Sequence, residues 1–373
     1  MSPYVVDPTC YQVALVGRHV YHPLAPYHRR SLHLILKQGM SHTVEAKDLG
    51  AYRQIVQDTL QRLKLDKRTP QALYAPIRYT LEQEGAKRVR PVLALLMQAY
   101  LRPEAPLVAS PIVALEVFHN FTLLHDDVMD NSPVRRGKPS VYAKYGLTPA
   151  ILSGDAMLIL AYQMLTEGVS AEMLLDLIQD FNKMATLIME GQQLDLEYEQ
   201  LDYVSKEQYL EMIGYKTAIL IATATRFGAI LSKGSAAELE SSYAFGWNLG
   251  LAFQLQDDYL DLYGDSETFG KPLGGDILEG KKTILHTLAY ATASPAQRQA
   301  LTEAMRRSNE QAEEKISAVK ALYDEMDVAT QVQALVRDYL AEAQSALKAL
   351  ESACGREATQ LRAFVTKIAE RNT

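Results

Sequence analysis

Asp126-Asp127-Val128-Met129-Asp130 and Asp257-Asp258-Tyr259-Leu260-Asp261 share one pattern, Asp-Asp-x-x-Asp. Each closes an apolar run, 113–124 in the first case and 247–255 in the second. On a helix, residues four apart lie one above the other. Asp126 and Asp130 then form one carboxylate face, and Asp257 and Asp261 another. Carboxylates so crowded repel each other and stay ionised only beside a cation. Hard oxygen ligands select Mg²⁺, which takes a few carboxylates and completes its shell with substrate phosphates. A single run of this kind also reads as a solvated helix end. Two copies, each behind an apolar helix, point instead to two metal-binding faces around one diphosphate.

Outward from these motifs the text is helical almost throughout. Apolar residues recur at helical spacing over 51–63, 92–101, 112–124, 149–165, 171–189, 206–231, 237–255, 285–292, 295–323 and 330–350. Alternating β-branched runs are nearly absent. Gly and Pro fall between the segments, at Pro103 and Pro106, over 133–139 and over 270–280. The expected fold is all-α, a single large helical bundle around a central apolar cavity. Both Asp motifs end core helices just before Gly/Pro loops, so two facing helices that stop at one level would gather the carboxylates over that cavity.

Composition narrows the function. The chain has 373 residues, 48% of them hydrophobic, with a net charge of −7 and no basic tract, which argues against nucleic acid as a partner. The longest apolar stretches are interrupted by Asp155 or Arg226, so no transmembrane segment is expected. The two cysteines, Cys10 and Cys354, spell no metal motif and suit a reducing compartment, the cytoplasm. Residues 1–39 differ from the rest. They hold four of the eight histidines and set Arg18, Arg29, Arg30 and Lys37 against one acid, Asp7. They are expected to be an extension ahead of a native start at Met40, with 40–373 as the enzyme domain. An acid-poor organelle transit peptide is the alternative.

Further polar groups sit at telling positions. Arg135-Arg136-Gly137 follows the first motif, and guanidinium groups bind phosphate through paired donors. The same arginines would also neutralise the neighbouring acids. Lys87 and Arg90 are three apart and would share a helix face as a second anion site, although basic runs are usually solvated. His119 lies two turns before Asp126, where a histidine is more often core than ligand. Gln192, Gln193 and Asp195 place amides and a carboxylate near a helix bend. Lys216-Thr217 falls inside an apolar helix, where an unpaired lysine is costly, so it needs an anion or a polar cavity. Gln254 precedes the second motif, and Lys271, Lys281 and Lys282 follow it, placed to close over a diphosphate.

The stretch from Phe118 to Asp127 with Arg135-Arg136-Gly137, then Lys216-Thr217, then Phe253-Gln254-Leu255-Gln256-Asp257-Asp258, resembles the trans-isoprenyl diphosphate synthases, or polyprenyl synthetases. Matching motifs run in the family's order from about Gly85 to Lys282. One departure is Ala86, where the family usually has a second glycine. The resemblance implies a homodimer, and Mg²⁺ ions numbering about three per active site with substrate bound. It implies that Asp126, Asp130 and Asp257 hold Mg²⁺, with Asp127, Asp258 and Asp261 in support. Arg135, Lys216 and Lys271 would grip an allylic diphosphate (dimethylallyl, geranyl or farnesyl). Lys87, Arg90, His119 and Arg136 would hold isopentenyl diphosphate, and Thr217 and Gln254 would face the allylic cation.

In the resembled family, bulky residues four to eight before the first Asp form the floor of the tail pocket. Phe118 and Phe121, with the small Thr122 between Phe121 and the motif, then favour geranylgeranyl diphosphate as product, with farnesyl diphosphate as the alternative. The two phenylalanines also read as ordinary core. A class I terpene cyclase would carry an Asn/Ser/Glu motif in place of the second Asp motif. A non-catalytic synthase subunit would lose one motif. A His-Asp phosphohydrolase at His125-Asp126 would need more histidines than His42, His119 and His286 supply.

Overall fold

Helix boundaries follow local chemistry. Ser170, Ser205, Ser235 and Ser294 each cap a helix N-terminus through the side-chain oxygen. Ser205/Gln208, Ser235/Glu238 and Ser294/Gln297 are reciprocal capping boxes, which satisfy backbone donors the helix leaves open. In chain order the helices are α1 Leu49–Gln61, α2 Gln71–Leu81, α3 Val89–Leu101, α4 Ala109–Met129, α5 Val141–Tyr145, α6 Leu147–Leu165, α7 Ala171–Glu199 and α8 Lys206–Ile213. A π-turn, Gly214–Ala218, joins α8 to α9 Ile219–Leu231. Then come α10 Ala236–Tyr263, α11 Gly275–Glu279, α12 Ile284–Thr292, α13 Pro295–Met305, α14 Ala312–Glu325, α15 Val328–Cys354 and α16 Thr359–Ala369. The computed structural model describes residues 49–83, 86–264 and 273–369, all within one compact unit. Residues 1–39 and Lys271 lie outside the described residues.

The all-α expectation holds. Among the described residues the strand pairing is a two-residue ladder, Val134–Arg135 against Lys138–Pro139. Some boundaries differ from the sequence reading. The segment expected as one helix over 295–323 is two helices, because the Ser308 hydroxyl accepts from the Glu310 N–H and draws the chain into a 3₁₀ turn. Helix α2 escaped the reading because Pro76 interrupts its pattern.

Helices α3, α4 and α9 bury residues on nearly every face and lie at the centre of the core. A second apolar cluster joins α8, the C-terminal half of α10 and α12 to α15. By length and composition alone α6, with a mean hydropathy of 1.2 over an 18-residue window, is the one described helix that could cross a bilayer, a property that core helices of globular proteins share. One face of α6, with Ala150, Ser153, Met157, Ala161 and Met164, is buried where the helix packs on α4 and α2, Ser153 Oγ donating to the Leu73 carbonyl oxygen at 2.9 Å. The other leaves Leu147, Leu152 and Ile159 half exposed.

Candidate active site

Helix α4 ends at Met129 with Asp130 as its C-cap, and Asp257 and Asp261 occupy the last two turns of α10. Carboxylates at a helix C-terminus meet the negative end of the helix dipole, so these faces are electrostatically unfavourable without a cation. Burial pushes the Asp126 carboxyl up to about 6; nearby Lys216 opposes the shift and Asp130 adds to it. The middle aspartate of each motif turns inward. Asp127 is 2% exposed and accepts from Arg135 Nε at 2.9 Å and Nη2 at 2.6 Å. Asp258 is 3% exposed and accepts from the Tyr209 hydroxyl and from Gln254 Nε2 at 2.9 Å. Burial raises both carboxyls, Asp258 to about 6, against the pull of these donors. Among the described residues no three acidic, His or Cys groups converge to cage an ion.

Three cavities meet beside the motifs. The largest, about 360 Å³, runs under Asp126 between α4, α7 and α9. Arg90 and His119 separate it from a cavity of about 250 Å³ that also carries Lys87, Arg88 and Arg136. Lys216 and Thr217 separate it from one of about 200 Å³ that reaches Gln254, Asp258, Asp276 and Lys281.

The 250 Å³ cavity gathers the four residues expected to form a second anion site, by a route the sequence reading missed. Lys87 and Arg90 do not share a helix face. Arg88 takes a left-handed φ of 49° as N-cap of α3, so Lys87 lies before the helix and Arg90 within it. Arg88 is buried and pairs with Glu116 at 2.7 Å, which fixes this turn against α4. Arg90 Nη1 lies 3.0 Å from His119 Nε2. A guanidinium only donates, so Nε2 accepts and the imidazole is neutral with its proton on Nδ1. Burial holds the His119 pKa well below its usual value, and Arg90 and Arg136 lower it further. Arg90 Nε is buried with no protein partner among the described residues.

Arg135 and Arg136 part company at a hairpin turn. Arg136 and Gly137 have φ of 54° and 72°, as a type I′ turn requires. Arg135 reaches Asp127, and Arg136 lines the basic cavity. Lys216 and Thr217 stand on the π-turn, a departure from α-helix often found at functional sites. It is wedged between two glycines: a Cβ on Gly191 would lie 2.5 Å from Lys216 N, and one on Gly250 would lie 2.6 Å from Ala218 Cα. The Lys216 ammonium sits 2.5 Å from Asp195 Oδ2, and Thr217 Oγ1 donates to Gln254 Oε1 at 2.9 Å.

Comparison with known proteins decides the family. Residues 70–325 match the profile of the polyprenyl synthetases. The chain belongs to the polyprenyl synthetase family. It is 36% identical over 274 residues to a short chain isoprenyl diphosphate synthase of Methanothermobacter thermautotrophicus, covering 74% of this chain and 83% of that one. It is 38% identical over 250 residues to a geranylfarnesyl diphosphate synthase of Natronomonas pharaonis, covering 62% and 73%. The crystal structure of geranylgeranyl pyrophosphate synthase from Corynebacterium glutamicum, complexed with isoprenyl diphosphate and magnesium, matches with a TM-score of 0.75 at 27% identity, over 87% of this chain and 98% of that one. The chain is therefore a prenyltransferase of a family that uses a divalent metal.

Within this polyprenyl synthetase the remaining candidates divide. Phe121 and Thr122 line the large cavity, and Phe118 does not. Phe118 is fully buried behind Phe121, with ring centroids 5.4 Å apart, and packs edge-on against Phe181 at 5.2 Å. Gln192 lines the same cavity, and its Oε1 is buried with no protein partner among the described residues. Lys281 reaches Glu279 at 2.5 Å and Asp276 at 4.0 Å, so in this state it neutralises its own loop. The sequence reading passed over Arg88, Glu116, Tyr209 and Asp276. Asp276 donates its backbone N–H to Asp261 Oδ2 at 3.1 Å, and burial, then repulsion from Asp261 and Asp258, raises its carboxyl. Only the run of acids after the second motif hinted at it.

Proposed function

We propose that this prenyltransferase condenses isopentenyl diphosphate head-to-tail with an allylic diphosphate to a short all-trans prenyl diphosphate, geranylgeranyl diphosphate being favoured. The observation that carries the reading is the shared wall: Arg90 and His119 border both the cavity under Asp126 and the basic cavity of Lys87 and Arg136. Two anionic substrates held on either side of that wall would meet at their reacting carbons. Asp126, Asp130 and Asp257 are the proposed Mg²⁺ ligands, with Asp261 in support and Asp127 and Asp258 anchoring the motifs from within. When bound, Mg²⁺ neutralises the charge that gathers on the departing diphosphate.

The protein's own groups do the rest. Arg135 uses Nε and Nη2 on Asp127 and keeps the remainder of its five donors for phosphate. Lys216 bridges Asp195 and the same diphosphate, and Lys281 turns to it from Glu279. Lys87, Arg90, Arg136 and neutral His119 hold the second diphosphate. As the allylic C–O bond breaks, the oxygens of Thr217 and Gln254 face the cation. The double bond of isopentenyl diphosphate attacks it, and the released pyrophosphate takes the proton lost. The apolar walls of Ile188, Met189 and Leu220 keep out water, which would trap the cation as an alcohol.

Incubation with Mg²⁺, isopentenyl diphosphate and dimethylallyl, geranyl or farnesyl diphosphate tests this. Chromatography of the dephosphorylated products should give mainly the twenty-carbon alcohol. A fifteen-carbon product would support the farnesyl alternative, a twenty-five-carbon one would displace both, and products formed without isopentenyl diphosphate would indicate a cyclase.

The working form is proposed to be a homodimer. Leu147, Leu152 and Ile159 of α6 and Leu175 of α7 are half exposed, and a second copy of the chain would bury them. A monomeric mass by light scattering, or Ile159→Asp without effect on mass, would refute this. Residues 1–39 take no part in the reading, and a chain lacking them should keep its turnover; loss of turnover would give them a role. The cytoplasm is the proposed compartment, and fractionation with an organelle would overturn that.

A further inference from the structure

Tyr209 lies on α8, five residues before the π-turn, and is 2% exposed. Its hydroxyl donates to Asp258 Oδ2. Asp258 Oδ1 accepts from Gln254 Nε2 at 2.9 Å, and Gln254 Oε1 accepts from Thr217 Oγ1 at 2.9 Å. The backbone N–H of Ile284 also donates to Asp258. One unbroken chain of hydrogen bonds therefore crosses from α8 through α10 to the π-turn.

The direction of that chain follows from donor chemistry. Asp258 accepts from the Tyr209 hydroxyl through Oδ2 and from Gln254 Nε2 through Oδ1, so Gln254 turns its NH₂ to Asp258. Its carbonyl oxygen then necessarily faces Thr217, which settles an amide orientation that geometry alone leaves open. Thr217 commits its single proton to that oxygen. The Thr217 hydroxyl and the Gln254 carbonyl then keep lone pairs on the side of the cavity, while the Gln254 NH₂ is drawn away toward Asp258. Were Asp258 not held in place, the amide could rotate and present N–H groups, with positive charge, to the same space. Among the described residues, Tyr209 is the hydrogen-bonding side chain on Asp258 that comes from outside α10.

We propose that Tyr209 is a positioning residue for ionisation: acting through Asp258, it fixes the polarity of the Thr217–Gln254 pair so that oxygen lone pairs face the allylic cation. The proposal rests on the assignment of Thr217 and Gln254 to the cation made under Proposed function. A buried phenol that merely satisfies its hydroxyl would show the same contact, so the test must separate the two.

The test is a double-mutant cycle with Tyr209→Phe and Gln254→Leu, measured as kcat, both KM values, Mg²⁺ half-saturation and Tm. Tyr209→Phe should lower kcat by roughly tenfold, with both KM values and the Mg²⁺ requirement within about twofold of the parent. In the Gln254→Leu background it should cost nothing more, since no amide remains to be oriented. An equal loss in both backgrounds, a loss matched only by Tm, or a raised Mg²⁺ requirement would overturn the proposal. If Gln254→Leu alone leaves kcat intact, it is the assignment of Gln254 to the cation that fails. Should Tyr209→Phe not fold, Tyr209→Met, which also lacks the donor, takes its place in the same cycle with the same outcomes.

Discussion

Arg90 and His119 meet across α3 and α4, with Nη1 of the one 3.0 Å from Nε2 of the other. Because the imidazole is neutral, the positive charge of the basic cavity comes from Lys87, Arg88, Arg90 and Arg136, less the Glu116 that Arg88 already pairs. His119 sets the angle of the Arg90 guanidinium without adding repulsion to it.

Lys87→Ala and Arg90→Ala should therefore weaken isopentenyl diphosphate selectively. Loss of one charge-assisted contact costs about 1.5–3 kcal/mol, roughly ten- to a hundredfold in KM. Arg90→Lys should not restore it, since an ammonium cannot reproduce the fork that spans His119 and phosphate. Steady-state kinetics with each substrate varied in turn is the check, and an increase confined to the allylic KM contradicts the assignment.

Asp126→Ala or Asp257→Ala should lower turnover by at least about a hundredfold, which corresponds to roughly 2.7 kcal/mol of lost leaving-group stabilisation. Stability in EDTA should not fall. Burial and the neighbouring Asp130 already oppose the charge on Asp126, so its removal relieves strain in the metal-free protein. Near-normal turnover in either variant rules out the proposed metal faces, and a collapse of Tm in EDTA contradicts the repulsion on which they rest.

Phe121→Ala should lengthen the product and Phe118→Ala should not. Phe121 forms part of the cavity wall, so its loss extends a connected space in which each added CH₂ gains about 0.8 kcal/mol on burial. Phe118 is sealed behind it, and its loss leaves an isolated void that costs about 3–5 kcal/mol of stability. The double variant should give the longest chains, because the two voids then join. Product analysis beside urea denaturation separates these outcomes; unchanged length in all three variants places the floor on another helix.

His286 should make the protein sensitive to acid. The ring is 2% exposed, with Nε2 3.2 Å from the Asp202 carbonyl oxygen, and burial lowers its pKa to about 4. The unfolded chain takes up that proton near 6.5. Between these values the unfolded state binds more protons than the native one, so stability falls as pH drops from about 6.5 to 4, by about 3 kcal/mol at most. His286→Gln should flatten that window. Urea midpoints at pH 7 and 4.5 measure it in both proteins, and equal pH-dependent losses contradict the assignment. Asp126 and Asp258 act with the opposite sign, since their raised carboxyls favour the native state as pH falls; they are common to both proteins and cancel in the comparison.

The sequence by itself determined the helical fold, the family and the place of each Asp motif at the C-terminal end of a core helix. Those features are local or periodic. Residues four apart share a helix face whatever surrounds them, a serine followed three residues later by Gln or Glu caps a helix from within, and apolar spacing marks the buried stripe. Tertiary structure decided which carboxylates face outward and which way each cation points. Asp127 and Asp258 stand in the same motifs as the proposed ligands Asp126, Asp130 and Asp257, yet each is turned inward by a donor from another element, Arg135 of the hairpin and Tyr209 of α8. Lys87 and Arg90 reach one cavity because Arg88 takes a left-handed turn held by Glu116 from α4, 28 residues away. Phe118 and Phe121 differ by one helical turn, and only the packing of Phe181 from α7 makes one of them a wall and the other its backing. A partner supplied from a distant helix leaves no period in the text, because its spacing is set by how helices cross and not by the 3.6-residue repeat within any one of them.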